Sequence, residues 1–253
     1  MRKETRSKIK RFMIEFAKEL TSVPFTVDEL KKAFPFHSLF FPEEALISFK
    51  QQRSIVTKMG MTLYPKIAEL VAKDRYEDVN LDHEIIGEVE VAKINVIDRI
   101  INDLRAGRIR PNFNEETKSI LSAKSVEKRK VRIIADLFVG DFKPGPLFME
   151  IKSPRPNLDV CAESKKKMLF FRAIFADKEP QAFLAFPYNP FVHRKNYKHS
   201  FTERIMDLDH EVLIGEEMWN KLGGKGTYDE LLTIIEEAKE EIERSRSKTL
   251  DEF

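Results

Sequence analysis

Two carboxylates and a lysine lie within residues 131–152, a segment with the composition of a β-hairpin. Two runs rich in β-branched and aromatic residues flank the turn-forming sequence Gly-Asp-Phe-Lys-Pro-Gly-Pro. If the turn is centred on Lys143, Asp136 lies directly opposite Glu150, and their Cβ atoms are about 4.5–5.5 Å apart. Lys152 projects from the same face because side chains alternate along a strand. The spacing therefore predicts that two carboxylates and one ammonium group meet on one face of a sheet.

Such a group of side chains can bind a metal ion and a phosphate. Two carboxylates this close repel each other unless a cation lies between them. Mg²⁺ suits that position because it binds oxygen ligands at about 2.0–2.1 Å and keeps water molecules for chemistry. Lys152 would then position a water molecule or stabilise negative charge that develops on a phosphate. The alternative is an exposed hairpin with an ordinary cross-strand charge cluster. However, Asp136 and Glu150 interrupt apolar runs, where an unpaired carboxylate is costly.

The same residues resemble a known nuclease motif. Ala135-Asp136 followed by Glu150-Ile-Lys152 is similar to the PD-(D/E)XK motif, in which Asp, Glu and Lys serve a Mg²⁺-dependent phosphodiesterase; Ala135 replaces the proline of that motif. Over roughly residues 45–235 the chain also resembles type II restriction endonucleases of the TdeIII kind. The segments that carry this resemblance are Glu150-Ile-Lys-Ser-Pro-Arg-Pro-Asn157, Ala185-Phe-Pro-Tyr-Asn-Pro190 and Leu222-Gly-Gly-Lys-Gly-Thr-Tyr228.

The resemblance implies a fold, an activity and partners. The fold is α/β, a mixed-sheet PD-(D/E)XK restriction-endonuclease-like core with a mainly helical N-terminal half. The activity is that of a homodimeric type II restriction endonuclease. The resemblance implies Mg²⁺-dependent cuts in double-stranded DNA at a short palindrome rich in G and C, such as GGNCC. Asp136 and Glu150, with the main-chain carbonyl of Ile151, would hold Mg²⁺, and Lys152 would orient the attacking water. In several related nucleases a helical glutamate completes the metal site; Glu69 is a candidate, with an ordinary surface carboxylate as the alternative.

Two other functions stay open at this point. A PD-(D/E)XK nuclease of DNA repair or recombination would carry the same three residues but recognise DNA structure rather than sequence. A DNA-binding protein that keeps the fold without catalysis is the alternative from another class, and the intact Asp-Glu-Lys set argues against it. A metal-dependent nicking assay separates these two alternatives.

The elements around the hairpin are predicted from apolar spacing. Before it the pattern indicates mainly helices, with an aromatic loop at residues 34–42, a polar loop at residues 74–87 and a helix at residues 89–104. After it, a helix at residues 160–176 and a buried strand at residues 182–186 complete a strand–helix–strand succession. That succession is typical of an α/β core with a mixed sheet.

Two basic segments are candidates for contact with DNA. The helix after the hairpin carries Lys165, Lys166, Lys167 and Arg172, which would bind phosphates beside the cut or simply form a solvated face. The loop after the strand at 182–186 is the densest basic and aromatic segment, and its candidate DNA contacts are Arg194, Lys195, Lys198 and Arg204. Arg194 and Arg204 are candidate base readers, because arginine binds O6 and N7 of guanine in the major groove.

Length and composition set the remaining limits. The 253 residues allow one large domain or a core with an extension. A break at residues 107–114 predicts a mainly helical N-terminal region, 1–114, and a catalytic core with C-terminal helices, 115–253. The formal charge is only +2, so any basic surface must be local. The single Cys161 excludes an internal disulfide and suits a cytoplasmic location. No apolar run approaches the roughly 20 residues that span a bilayer, so no membrane partner is expected.

Overall fold

The computed structural model describes residues 1–20 and 26–251, with side chains through residue 245. By their internal contacts, residues 68–229 form one compact unit (the sheet unit), and residues 2–67 with those from 230 onward form a second (the helical unit). The domain boundary expected at residue 114 stays a prediction. Strands on both sides of that residue belong to one sheet.

The chain begins with helices and continues as a mixed succession of strands and helices. The helices are α1 (Lys3–Leu20), α2 (Val27–Ala33), α3 (Pro35–Phe40), α4 (Glu43–Lys58), α5 (Tyr64–Ala72), α6 (Val91–Arg105), α7 (Phe113–Ser122), α8 (Leu158–Ile174), α9 (Ser200–Ile205), α10 (Leu208–Glu211), α11 (Glu216–Gly223) and α12 (Thr227–Asp251). The strands are β1 (Val79–Glu90), β2 (Lys128–Val139), β3 (Leu147–Ile151), β4 (Gln181–Phe186) and β5 (Val212–Ile214). Over the described ranges, no helix combines the length and the apolar character that crossing a membrane requires.

The helical unit shows how local sequence sets helix ends. A capping box starts α2, because the Thr26 hydroxyl accepts from the Glu29 N–H and the Glu29 carboxylate accepts from the Thr26 N–H. The prediction of an aromatic loop at residues 34–42 is wrong over most of its length, because α3 forms there. Pro35 occupies the first turn of α3, where its fixed φ favours a helix and its missing N–H costs nothing.

The sheet unit contains, within the described part of the chain, a five-stranded sheet in the order β1-β2-β3-β4-β5. β2 is antiparallel to β1 and to β3, while β4 is parallel to β3 and to β5. α8 forms the crossover that joins the parallel strands β3 and β4, as such a pair requires. The mixed sheet and its helices confirm the α/β fold class with a mainly helical N-terminal half.

The prediction of a polar loop at residues 74–87 is wrong, because β1 occupies most of that segment. Only Val79, Ile85 and Val89 of this strand are buried, so its apolar alternation is weak in the sequence. The strand pairs along its length with β2. Strand formation depends on neighbouring strands more than on intrinsic propensity, and this partner lies far away in the sequence.

Aromatic side chains fix α8 on one face of the sheet. The ring centroid of Phe171 lies 5.2 Å from that of Phe148 and 6.3 Å from that of Phe138. Phe138 and Phe148 are opposite each other on β2 and β3. Residues two apart along a strand share a face, so this face also carries Asp136 and Glu150. α8 therefore covers the side of the sheet on which the two carboxylates lie.

Candidate active site

The hairpin of β2 and β3 has the register that the sequence predicts. Leu137 pairs with Met149, and continuing that register by one residue sets Asp136 opposite Glu150. β3 ends one residue later, and the main-chain N–H of Lys152 donates to a carbonyl of β4 at 3.0 Å. The two carboxylates therefore lie where the paired part of the hairpin ends and its strands separate.

Asp136, Glu150 and Lys152 come together as expected. The Lys152 ammonium lies 2.5 Å from Asp136 Oδ2 and 3.3 Å from Glu150 Oε2. Asp136 Oδ2 also accepts the main-chain N–H of Ile151 at 2.7 Å. The Glu150 side chain is 1% exposed, whereas Asp136 and Lys152 are partly exposed. The centre thus has a buried carboxylate at its base and an ammonium and a second carboxylate that solvent can reach.

Burial and neighbouring charges set the protonation of this centre. Burial, followed by the charge of Asp136, raises the pKa of Glu150 above its ordinary value, and Lys152 opposes that rise. Burial alone would lower the pKa of Lys152, but its attraction to Glu150 and Asp136 outweighs burial and raises it. The Lys152 side chain is therefore a charged ammonium that donates hydrogen bonds and does not accept a proton.

The donor set fits a hard divalent cation. The oxygens of two carboxylates, one of them buried, converge here, and oxygen ligands are those that a hard divalent cation prefers. Over the residues that the structure describes, no three His, Cys, Asp or Glu side chains are grouped to hold a metal. Two protein carboxylates suit Mg²⁺, which usually keeps several waters. Glu69 adds no third ligand in this arrangement. Its carboxylate lies on α5, 2.6 Å from the ammonium of Lys73 in the turn after that helix.

α8 contributes two further donors to the site: Ser164, which the sequence interpretation did not single out, and Lys167, which it gave only as a candidate phosphate contact. Lys167 Nζ lies 3.0 Å from Glu150 Oε1, and the Ser164 hydroxyl donates to Glu150 Oε2 at 3.4 Å. The available signal was their spacing, since residues three apart on a helix share a face. Which face of α8 meets the hairpin was not visible in the sequence.

The expected contact of Lys165 with DNA is wrong, because its side chain is 0% exposed. Its ammonium lies 2.5 Å from Glu116 of α7 and 2.5 Å from Glu211 of α10. Arg172 completes this buried ion cluster, 2.9 Å from Glu211 and stacked on the Phe113 ring. Burial alone would raise the pKa of Glu211, but Lys165 and Arg172 hold it below its ordinary value. Burial raises the pKa of Glu116.

Of the other predicted DNA contacts, three are exposed and two are partly buried. Lys166 is on the surface of α8 and pairs with Asp98 at 2.8 Å. Lys195, Lys198 and Arg204 are exposed. Arg194 is partly buried and is used inside the protein, since its guanidinium donates to the Leu208 carbonyl at 2.5 Å and pairs with a glutamate of α11. A role for Arg194 as a base reader would require these contacts to break.

A polar pocket brings together arginines from two segments that are distant in the sequence. Arg110, from the turn between α6 and α7, and Arg204 of α9 both line a cavity of about 660 Å³. The same basic loop is tied to the segment after Lys152, because the Tyr197 hydroxyl donates to the Pro154 carbonyl at 2.8 Å. Burial raises the pKa of Tyr197 to about 12, so it stays a donor. The loop that precedes α9 is therefore held beside the candidate catalytic strand.

The fold is built on a mixed sheet, and the site on that sheet combines two carboxylates with a lysine. Comparison with known proteins identifies the family to which a chain with these features belongs. The family model described as "Type II restriction endonuclease, HinfI" matches residues 1–239. Type II restriction enzyme HgiBI of Herpetosiphon aurantiacus is 28% identical, over 92% of this chain and 92% of that enzyme. HgiCII of the same organism is 31% identical, over 80% of this chain and 76% of that enzyme. MjaII of Methanocaldococcus jannaschii is 31% identical, over 71% of this chain and 51% of that enzyme. No solved structure gives a significant match.

The chain therefore belongs to the HinfI family of type II restriction endonucleases. These proteins are site-specific deoxyribonucleases, so the chain is an enzyme of that class. The alternatives of a repair nuclease and of a non-catalytic DNA-binding protein have no support among these relatives.

Proposed function

We propose that this restriction endonuclease hydrolyses both strands of DNA at a centre formed by Asp136, Glu150 and Lys152, with Mg²⁺ as its metal. One observation carries the proposal: the carboxylates of two paired strands share the Lys152 ammonium, at 2.5 and 3.3 Å, where the hairpin strands separate. The likeness of these three residues to the PD-(D/E)XK motif supports the same roles.

Type II restriction enzymes generally require a divalent metal. Here Asp136 and Glu150, with the main-chain carbonyl of Ile151, would hold it, because oxygen ligands suit Mg²⁺. When bound, the ion supplies charge neutralisation at the phosphate and activation of a water molecule.

The chain's own groups orient the reacting atoms. The Ile151 N–H and the Lys152 ammonium both donate to Asp136 Oδ2, which fixes the direction of that carboxylate. Lys152 would donate to a non-bridging oxygen of the phosphate, where negative charge accumulates in the transition state. Water attacks phosphorus in line and releases a proton to solvent, the bond from phosphorus to O3′ breaks, and O3′ takes up a proton from solvent. The products are a 5′-phosphate and a 3′-hydroxyl.

The proposed partners are double-stranded DNA and a second copy of the chain. One active site per chain must cut both strands of a two-fold symmetric target, which a two-fold symmetric homodimer matches. The target is a short G/C-rich palindrome of the GGNCC type, as the likeness to TdeIII-type enzymes implies. Lys166, Lys195, Lys198 and Arg204 are the proposed DNA contacts. Light scattering that finds only monomer, both for the free protein and for the protein with DNA, would contradict the homodimer. The cytoplasmic location stays a prediction.

The decisive experiment sequences the ends of cut DNA. Phage DNA is incubated with Mg²⁺ and the wild type, Glu150→Gln, or a control, Glu115→Gln, which changes an exposed glutamate of α7. We expect discrete ends that share one palindrome from the wild type and the control, and intact DNA from Glu150→Gln. Unaltered cutting by a folded Glu150→Gln protein would exclude this centre. Ends without a common motif would exclude sequence-specific restriction.

A further inference from the structure

Lys167 connects the buried carboxylate of the site to the surface. Its ammonium lies 3.0 Å from Glu150 Oε1, while Lys152 approaches Oε2 of the same carboxylate. The Lys167 side chain is 23% exposed, against 1% for Glu150. An ammonium has three donors, so the Glu150 contact leaves Lys167 with hydrogen-bonding capacity on its solvent side.

That solvent side is a groove between β2 and α8. The groove has a volume of about 340 Å³, and its lining includes Arg132 and Ile134 of β2 with Glu163, Lys166, Lys167 and Phe170 of α8. Alternate residues of β2 share a face, so Arg132 and Ile134 lie in one row with Asp136. The groove therefore follows β2 toward the catalytic carboxylates, and three cations but one carboxylate line it.

The three cations of the groove have different partners. Arg132 pairs with Glu84 of β1 at 2.6 Å, and Lys166 pairs with Asp98 of α6 at 2.8 Å. Both of those acids lie outside the catalytic centre. Lys167 instead pairs with Glu150 of the centre itself. Among these cations, Lys167 is the one placed to touch both the centre and a ligand in the groove.

The buried ion cluster holds Lys167 in this position. Lys165, two residues earlier on α8, is joined to Glu116 and Glu211 at 2.5 Å each. Since successive helix residues are about 100° apart, fixing Lys165 also fixes the direction in which Lys167 leaves the helix. A donor that is already oriented loses little freedom when a ligand binds.

We infer that Lys167 binds a phosphate of the DNA strand being cut, next to the phosphate that reacts, while it remains beside Glu150. The inference rests on the proposed function. A groove lined by cations that leads into the centre suits a polyanionic strand. If Lys167 served only as the charge partner of Glu150, it would make no contact with DNA, and this difference can be measured.

The test measures the salt dependence of DNA binding. The probe is a short fluorescent duplex that carries the sequence found at the cut ends, with Ca²⁺ in place of Mg²⁺ so that the DNA is bound but not cut. Each neutralised phosphate contributes about 0.9 to the log–log salt slope. We expect Lys167→Met to reduce the slope by about 0.9. If both proteins bind equally at about 1 M salt, this slope weakens binding by the variant about eightfold at about 0.1 M. Lys167→Arg should keep the slope, and so should Lys118→Met, which removes an exposed lysine of α7.

A second pair of variants guards against misfolding, because Lys167→Met leaves Glu150 with one cation fewer. Glu150→Gln is compared with Glu150→Gln/Lys167→Met, where position 150 carries no charge in either protein. The loss of about 0.9 in slope should persist in this pair. A steep wild-type slope that Lys167→Met leaves unchanged in both pairs would overturn the inference alone. Wild-type binding without salt dependence would overturn the proposed DNA cleavage and the inference with it.

Discussion

Replacing Lys165 by methionine tests the buried ion cluster and, with it, the orientation of α8. Methionine keeps much of the unbranched stem but removes the ammonium that lies 2.5 Å from both Glu116 and Glu211. Glu211 would then keep Arg172 at 2.9 Å, whereas Glu116 would lose the cation that it contacts. We expect a large loss of stability and no direct loss of DNA contacts.

The magnitude follows from burial. Removing one partner of a buried ion pair costs roughly 3–5 kcal/mol, because the remaining charge stays out of water. Native proteins are stable by only about 5–15 kcal/mol, so this is a large fraction. For a chain of this size the loss corresponds to a fall in Tm of about 6–20 °C. An exposed pair such as Lys166 with Asp98 is worth about 0–1 kcal/mol.

The pH dependence of the loss has a definite sign. Burial raises the folded-state pKa of Glu116 above its unfolded value, so the folded chain takes up a proton more readily as pH falls. Protonated Glu116 no longer needs the Lys165 ammonium. The stability difference between wild type and Lys165→Met should therefore be largest at neutral pH and shrink as pH falls through the raised pKa.

Urea denaturation of wild type, Lys165→Met and Lys166→Met between acidic and neutral pH provides the assay. The double variant Lys165→Met/Glu116→Leu removes the orphaned carboxylate and leaves Arg172 paired with Glu211, so it should recover most of the loss. If Lys165→Met is no less stable than Lys166→Met but lowers the salt slope of DNA binding, Lys165 faces DNA and the orientation of α8 is wrong.

Three further predictions concern the centre, a surface pair and a turn. Asp136→Asn should stay folded but lower cleavage at least ~10³-fold, about 4 kcal/mol of transition-state stabilisation. Near-normal cleavage in Mg²⁺, beside a gel shift in Ca²⁺ that shows normal binding, would exclude the centre. Asp207 holds the pKa of His210 above 6.5 through a hydrogen bond, so this stabilisation is complete below about pH 6.5 and is lost as pH rises through the raised pKa. Thermal melts of His210→Asn should lack that pH dependence, and an unchanged profile would contradict it. In Gly145→Ala the new Cβ would lie 1.8 Å from the main-chain oxygen of Lys178, which cannot rotate away. We expect a loss of about 1–3 kcal/mol or more; an unshifted urea midpoint would show that the turn relaxes.

The candidate catalytic hairpin was predictable because its information is local. Asp136, Glu150 and Lys152 lie within one turn and its two strands, so side-chain alternation and a turn centred on Lys143 suffice to place them on one face. The start of α2 was predictable for the same reason, since a capping box uses only residues three apart. β1 was not, because its polar sequence becomes a strand only beside β2, and the two are separated by α6 and α7.

The three consecutive lysines of α8 show what only the tertiary structure decided. The sequence determined that residues 165–167 lie on a helix after the hairpin, and that the helix carries positive charge. Each helix residue turns by about 100°, so the three side chains must point in different directions. Lys165 meets Glu211, 46 residues away, inside the protein; Lys166 meets Asp98 at the surface; Lys167 meets Glu150 in the candidate active site. The rotation of α8 about its axis is set by distant carboxylates and by aromatic packing on the sheet, which no local pattern encodes.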